Sequence, residues 1–315
     1  MKTPAKNTRY RVTNWSNYNQ ALINRGNITL WFSEDFLSQW YEDQRPNQRG
    51  ASNTYSDIAI ECMLMLKAVF KLPLRATQGL AQSLVTLMRV CVQVPNFSTL
   101  SRRQGALTVD LKPQQTQGKR AIVVDATGIK VYGEGEWKVR KHGVSKRRTW
   151  RKLHLAVDAT THDIVAGQVT QNDVGDNEVL PELLDQIDDP IESIAGDGAF
   201  DTRACYDAIA QRGAQALIPP RKGAKIWPHG NTKGERHTRD ENLRGVRKKG
   251  MKKWKKDSGY HQRSLAETAM FRFKQLMGDT LSTRCLENQC TELMIRCAVI
   301  NRMTALGMPE SEVVL

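Results

Sequence analysis

The hydrophobic period changes about a third of the way along the chain, and that change restricts the fold more than any other feature. From Asp57 to Phe70, residues Ile58, Cys62, Met65 and Val69 recur at helical spacing and predict one buried helical face. Lys71-Leu72-Pro73 ends that pattern, because a proline disfavours helical backbone in the residue before it. A second helix follows, with Leu80, Leu84, Leu87 and Cys91 on one side. Pro95-Asn96-Phe97 closes the unit, and Ser98 is placed to cap a short third helix bearing Arg102 and Arg103. A shorter helix is expected upstream, from Glu34 to Trp40, and the polar stretch Thr108 to Gly118 reads as a linker.

Beyond the linker the pattern is that of strands. Ala121-Ile122-Val123-Val124-Asp125, Leu153 to Asp158 and Asp163 to Val169 are short apolar or alternating runs. Helix (Val179 to Ile187), strand (Ser193 to Gly198), helix (Thr202 to Arg212) and strand (Ala214 to Ile218) then alternate. Strands first, then alternating helix and strand, predict a mixed α/β sheet behind an all-helical N-terminal region. A chain of 315 residues suits about two domains. No run approaches ~18 uninterrupted apolar residues, so a membrane-spanning helix is not expected. The basic N-terminus lacks the apolar core of a secretory signal. The six cysteines form no CxxC pair and read as reduced thiols of a cytoplasmic protein.

Charge narrows the partner. Lys and Arg number 47 against 33 Asp and Glu, a net +14, which favours a polyanion because neutralised phosphates release counterions. Fourteen of the basic residues lie between Arg221 and Lys256, against Glu235, Asp240 and Glu241. With little apolar periodicity and with Trp227 and Trp254 interleaved, residues 221–256 read as an inserted loop or arm that orders on a phosphate backbone. Lys248, Lys249, Lys252 and Lys253 are its densest cluster. The helix, turn, helix and short basic helix of the N-terminal region suit a DNA-binding module or an ordinary three-helix packing unit equally well.

The candidate chemistry lies in carboxylates. Asp125 and Asp197 each stand where a predicted strand gives out, a place where ligands collect in α/β sheets but also where aspartate simply begins a turn. Gly196 and Gly198 flank the second and favour close approach of backbone or ligand. Tyr260, Arg263, Glu267 and Lys274 follow at intervals of three, four and seven, which return to one helical stripe. Ala266, Met270, Phe273 and Met277 form a neighbouring apolar stripe that can dock the helix on a sheet. Either that helix aims one carboxylate, two cations and a phenol at the strand ends, or Arg263 and Glu267 form a solvent-facing pair. No persuasive Ser/His/Asp or Cys/His set accompanies them.

The order and spacing resemble the DDE transposases of bacterial insertion sequences, in the branch with a Y-(2)-R-(3)-E-(6)-K signature (the insertion-sequence-four and -five group). Tyr260, Arg263, Glu267 and Lys274 match that signature without deviation, and Asp125 to Gly133 and Ala195 to Asp201 resemble its two aspartate motifs, with Phe200 where tyrosine is common. The resemblance implies an RNase H-like mixed-sheet core in which Asp125, Asp197 and Glu267 are catalytic and hold two Mg²⁺, with Mn²⁺ as a substitute. It implies that Arg263 and Lys274 grip backbone phosphates and that Tyr260 contacts the DNA backbone. Arg102, Arg103, Lys248, Lys249, Lys252 and Lys253 are further DNA-binding candidates. The implied partners are terminal inverted repeats, target DNA and a second or further copy of the chain, in the bacterial cytoplasm or nucleoid.

The organisation so expected is an N-terminal helical DNA-binding region over 1–107, a linker over 108–119, an RNase H-like catalytic domain over 120–306 with the basic insertion 221–256, and a C-terminal tail over 307–315. Cut DNA ends joined to a target would be its products; a metal-dependent nuclease and a non-catalytic DNA-binding protein are the alternatives. His154 and Asp158 share a strand face as candidates to support the site, though core packing suits the histidine better. Asp173 and Asp176 suit loop contacts and caps. Cys285, Cys290 and Cys297 suit packing rather than zinc. Trp137, Trp227 and Trp254 are candidates to stack on an unpaired base.

Overall fold

The computed structural model describes residues 9–42, 54–131, 150–227 and 237–314. A strand, β1 (Arg9–Val12), precedes six helices: α1 (Trp15–Asn24), α2 (Ile28–Trp31), α3 (Glu34–Ser38), α4 (Asp57–Val69), α5 (Leu74–Leu87) and α6 (Phe97–Arg103). The Ser56 hydroxyl caps α4 by accepting the Ala59 amide at 3.1 Å. This helix is buried continuously from Ala59 to Leu66 rather than along the one expected face. It threads the centre of the helical region, with Trp31, Phe32 and Trp40 fully buried around it, and a helix apolar all round belongs in such a place.

Two expected details of this region are corrected. The buried side of α5 is Thr77, Ala81 and Leu84, whereas Leu87 is 79% exposed: it closes the helix just before Arg89 takes positive φ. The cap of α6 is Asn96, whose Oδ1 accepts the Ser98 amide at 2.9 Å, so Ser98 lies inside the helix. The polar stretch before the sheet is pinned by specific bonds. Asn301 Nδ2 donates to the Leu111 carbonyl (3.0 Å), the Gln114 amide to Asp163 (2.9 Å) and Arg120 to the Gln114 carbonyl (2.8 Å).

The sheet contains β2 (Arg120–Val131), β3 (Trp150–Asp158), β4 (Ile164–Gln171), β5 (Ile191–Ala195) and β6 (Gln215–Leu217) in the order β4-β3-β2-β5-β6. The first three are antiparallel neighbours, and β5 and β6 add in parallel through right-sized crossover helices, α7 (Asp176–Asp185) and α8 (Arg203–Gln211). Three antiparallel strands extended by two parallel ones give the mixed RNase H-like arrangement. A short β7 (Thr280–Leu281) pairs with the far end of β2 at Lys130 and Val131.

Alternation on β2 divides the interior. Ile122 and Val124 face α7 and α8, in a core with Leu180, Leu184, Cys205, Tyr206 and Ile209. Val123 and Ile129 face the opposite side, covered by α11 (Ser264–Met277) and α12 (Leu286–Ala305). That second core is continuous with α4, so the N-terminal helices and one face of the sheet share a single set of buried side chains. The expected tail includes β8 (Ser311–Val314), antiparallel to β1. No helix among the described residues is long and apolar enough to cross a membrane.

The basic segment departs most from expectation. Its residues 228–236 lie outside the described ones, but α9 (Thr238–Lys249) and α10 (Met251–Asp257) occupy most of the remainder. Asp240 and Glu241 sit in the first turn of α9 and Arg247, Lys248 and Lys249 in its last, as the helix dipole favours. Leu243 and Trp254 bury the inner side, while Lys248, Lys249, Lys252 and Lys253 remain exposed. Sparse apolar residues conceal such a helix pair from a periodicity argument, because two anchors suffice when an ion pair does the rest.

Candidate active site

Asp125 is inside β2 rather than at its end. What gives out beside it is the neighbouring strand: the β2–β5 pairing stops at Val123 opposite Ala195. Asp125 and Asp197 each lie two residues past that last pair, so the register brings both to the same end of the β2–β5 pairing. Parity also puts Asp125 on the Val123 face, the one that α11 covers. Extended backbone at Asp197 (φ −78°, ψ −176°) continues the parity of Ala195, which lies in the same core. The glycine between them is required, since a Cβ on Gly196 would stand 2.7 Å from Phe200 Cδ2 and 3.1 Å from Val124 Cγ2. Gly198 has ordinary room and is not under that constraint.

The signature segment is not one continuous α-helix. Tyr260–Arg263 form a 3₁₀ turn, entered through Gly259 in the left-handed region (φ 75°), and α11 begins at Ser264. The turn packs on β2 and β5, and α11 on β2 and β3. Ala266, Met270, Phe273 and Met277 are buried as the apolar stripe predicts. This docking sets the first turn of α11 against β2 and β3, with Glu267 on it.

Arg263 joins the set. Its Nη1 donates to Glu267 Oε1 at 2.5 Å and its Nη2 to Asp125 Oδ2 at 3.3 Å. The i,i+4 pair therefore exists, but Arg263 is 22% exposed and turned toward the sheet rather than to solvent. Asp125 Oδ1 accepts the Ala126 amide (2.9 Å), and Asp197 Oδ1 accepts the Ala199 amide (2.8 Å), capping the turn Gly198–Phe200. Burial pushes the Asp125 carboxyl up from the ordinary carboxylate range; the Ala126 amide and Arg263 oppose the rise, and the charges of Asp197 and Glu267 add to it. Burial likewise raises the Tyr260 phenol, with Arg263 opposing and Asp197, Asp125 and Glu267 reinforcing. The five side chains thus share one electrostatic neighbourhood. Tyr260 is 8% exposed, its ring 5.9 Å from that of Trp254 and under the Lys255 ammonium. Lys274 lies two turns along α11, roughly 10 Å from Glu267 at 1.5 Å per residue.

Among the described residues no group of three or more His, Cys, Asp or Glu is gathered closely enough to hold a metal as it stands. The donor set nevertheless suits a hard divalent cation, being carboxylate oxygens, with the Asp125 carboxyl raised chiefly by burial. A positive group, the Arg263 guanidinium, already stands between two of them.

Other candidates lie elsewhere. Arg103 spans to the Tyr55 carbonyl (2.9 Å) and Asp57 (2.6 Å), tying α6 to the start of α4, while Arg102 is exposed. Asp158 is a buried partner of Arg120 (2.7 Å). His154 is buried against Thr170 (2.9 Å), and Asp176 receives Lys152 (3.1 Å). Cys297 is buried, Cys290 half-buried and Cys285 exposed. Trp254 is 5% exposed and packs Gly245 and Tyr260, and Trp227 is enclosed by Tyr206, His237, Arg203 and Arg239, so neither offers a free face to a base. Trp137 lies outside the described residues.

The sequence reading missed a clamp on the Asp197 loop. Arg221 donates its side chain to the Gly198 and Ala199 carbonyls (2.8 Å each) and its amide to Asp201 Oδ2 (2.9 Å). Arg239, 4% exposed, donates to Asp201 Oδ1 (3.0 Å) and thereby fastens α9 to the same loop. Asp201 stood in the aspartate motif; the two arginines were hidden in a charge run that reads as solvated.

The family described as Transposase DDE domain matches residues 116–302, and a second family of the same description matches residues 23–134. A cryo-EM structure of the piggyBac transposase synaptic complex with hairpin DNA is a distant structural likeness, with 13% identity, coverage of 93% of this chain and 76% of that one, and a TM-score of 0.41. With the family match spanning most of the chain from the linker through α12, this protein belongs to the DDE transposase family.

Proposed function

We propose that the chain is the transposase of a bacterial insertion sequence, with Asp125, Asp197 and Glu267 as its catalytic carboxylates. The observation that supports this most is the Arg263 bridge between Glu267 on α11 and Asp125 on β2, with Asp197 standing, like Asp125, two residues past the last β2–β5 pair. Acidic side chains gathered beneath a helix, at the point where a parallel strand pairing ends, repel one another unless a cation is part of the design.

In this reading the carboxylates hold two Mg²⁺, or Mn²⁺ in its place, which when bound supply Lewis-acid stabilisation for phosphodiester cleavage and joining. The chain's own residues do the remainder. Asp125 and Asp197 are fixed by amide hydrogen bonds from Ala126 and Ala199, each to one carboxylate oxygen, and the other oxygen of Asp125 faces Arg263. Glu267, 58% exposed in the first turn of α11, is paired with Arg263. Arg263 engages a backbone phosphate with its planar fork and Lys274 a second one as a point charge about two turns away. Tyr260 supports this strand of DNA beside Arg263. The region 1–107 recognises terminal inverted repeats, residues 120–306 cut and join, and the exposed lysines of α9 and α10 (Lys248, Lys249, Lys252, Lys253), with Arg102, add sequence-independent affinity. Arg103 contributes by fixing α6. Two element ends call for two or more copies of the chain.

The test is to incubate the protein with Mg²⁺, DNA bearing the element's inverted repeats and a target plasmid. The account expects molecules in which the freed 3′-hydroxyl is covalently joined to target. Cutting without joined products would point to a nuclease, and metal-independent binding with no cutting to a non-catalytic DNA-binding protein.

A further inference from the structure

The large apolar residues of α11 are buried or half-buried with one exception. Met270, Phe273 and Met277 face the core, and Arg272 turns to α12, its Nη2 donating to Thr304 Oγ1 at 3.0 Å. Phe271 is 64% exposed. A single exposed aromatic is common on a protein surface, and what distinguishes this one is its place on the helix. Four residues beyond Glu267 and three before Lys274, it shares their stripe, about 6 Å along the axis from the first and about 4.5 Å from the second. Long helical side chains lean toward the preceding turn, which carries the ring toward Glu267. The nearby aromatics Trp254 and Tyr260 are buried against each other, so Phe271 is the ring that this stripe leaves open.

We propose that Phe271 is a stacking platform for an unpaired nucleobase at the DNA end, held between the backbone contacts of Arg263 and Lys274. The inference rests on the reading of those two cations as phosphate ligands. A stacked strand rises about 3.4 Å per nucleotide, so the roughly 10 Å between the levels of Glu267 and Lys274 spans about three nucleotides. The ring lies level with the middle one. A paired base has both faces covered by its neighbours, so only a base released from its pair can lie on the ring. Because every base has a π-face, the contact would hold an opened end without reading its sequence. The flanking cations favour this occupant over an apolar protein surface, which would strip water from Lys274 without supplying an anion.

The experiment measures anisotropy of two labelled inverted-repeat duplexes with the full chain, one duplex fully paired and one with its terminal base pairs replaced by mismatches. The unsubstituted protein should bind the mismatched duplex more tightly. Phe271→Ala should weaken that binding roughly five- to tenfold, the low end for stacking on one base, and binding to the paired duplex less than twofold. Phe271→Trp should bind as the unsubstituted protein does, whereas Phe271→Leu, apolar but without a π-face, should resemble Phe271→Ala. Since the ring is exposed, Tm should stay within about 2 °C in all three variants, which separates a lost contact from a damaged fold. Undiminished binding of the mismatched duplex by Phe271→Ala, an equal loss on both duplexes, or Leu performing as well as Trp would overturn the proposal. Arg263→Gln and Lys274→Gln test the underlying reading separately: if neither weakens binding to the paired duplex, the assignment of this stripe to DNA has itself failed.

Discussion

Replacing Asp201 by Asn removes the anion that fastens α9 to the Asp197 loop while leaving the side-chain volume almost unchanged. Asp201 is 1% exposed at its side chain and Arg239 is 5% exposed, with 3.0 Å between Nε and Oδ1. Breaking a buried pair leaves an uncompensated charge and costs about 3–5 kcal/mol in general. Here Arg239 retains Asp240 Oδ1 at 3.5 Å and the face of Trp227 at 4.3 Å, so the loss should fall near or below the lower end, about 2–3 kcal/mol. At ~2–4 °C per kcal/mol for a chain of some 200 residues, and less for a longer one, calorimetry should find Tm lower by about 5 °C. Arg239→Gln should give a similar loss, and the double substitution should cost less than the sum of the two because the stranded charge is gone. Since the same loop presents Asp197, DNA cutting should fall more than DNA binding at a temperature where the variant is folded. A Tm within 1 °C of the unsubstituted protein, or fully additive substitutions, would refute the reasoning.

Other expectations follow from the same structure. Burial holds the His154 imidazole below its ordinary pKa, with Lys152 adding to this and Asp176 opposing. Its contribution to stability is therefore present above the unfolded value near 6.5 and lost as pH falls through the lower folded value. The acid side of a Tm-against-pH curve should accordingly be steeper for the unsubstituted protein than for His154→Gln. Trp254→Ala should cost about 3 kcal/mol by removing the inner anchor of the α9–α10 pair, whereas Trp254→Phe should leave duplex affinity within twofold, as a packing role requires. Replacing Lys248, Lys249, Lys252 and Lys253 together by Ala should flatten the dependence of log affinity on log salt by up to about 3 while Tm changes little.

The sequence made the sheet legible because its strands are apolar on both faces, and each predicted run falls within or across an observed strand. Legibility failed where tertiary contacts override local signals. The apolar run stops at Asp125 and so predicts a strand end there, yet β2 continues to Val131 by pairing with β3 and then β7. The spacing from Tyr260 to Lys274 predicts one helix, whereas its first four residues form a 3₁₀ turn that ends at Arg263. The basic segment reads as a loop or arm, since a helix anchored by Leu243, Trp254 and a buried Arg239 has no apolar stripe to betray it. A single sequence likewise gives no sign of which arginines in a charge run are buried.

The central claim is that three distant carboxylates act as one metal-dependent site. It is tested most directly by strand transfer measured on inverted-repeat DNA with Asp125→Ala, Asp197→Ala and Glu267→Ala, each checked for end binding in parallel. The account predicts that all three lose Mg²⁺-dependent joining by at least about a thousandfold while end affinity stays within severalfold, the loss expected when a group essential to the transition state is deleted. Joining at an undiminished rate by any one of them would contradict it.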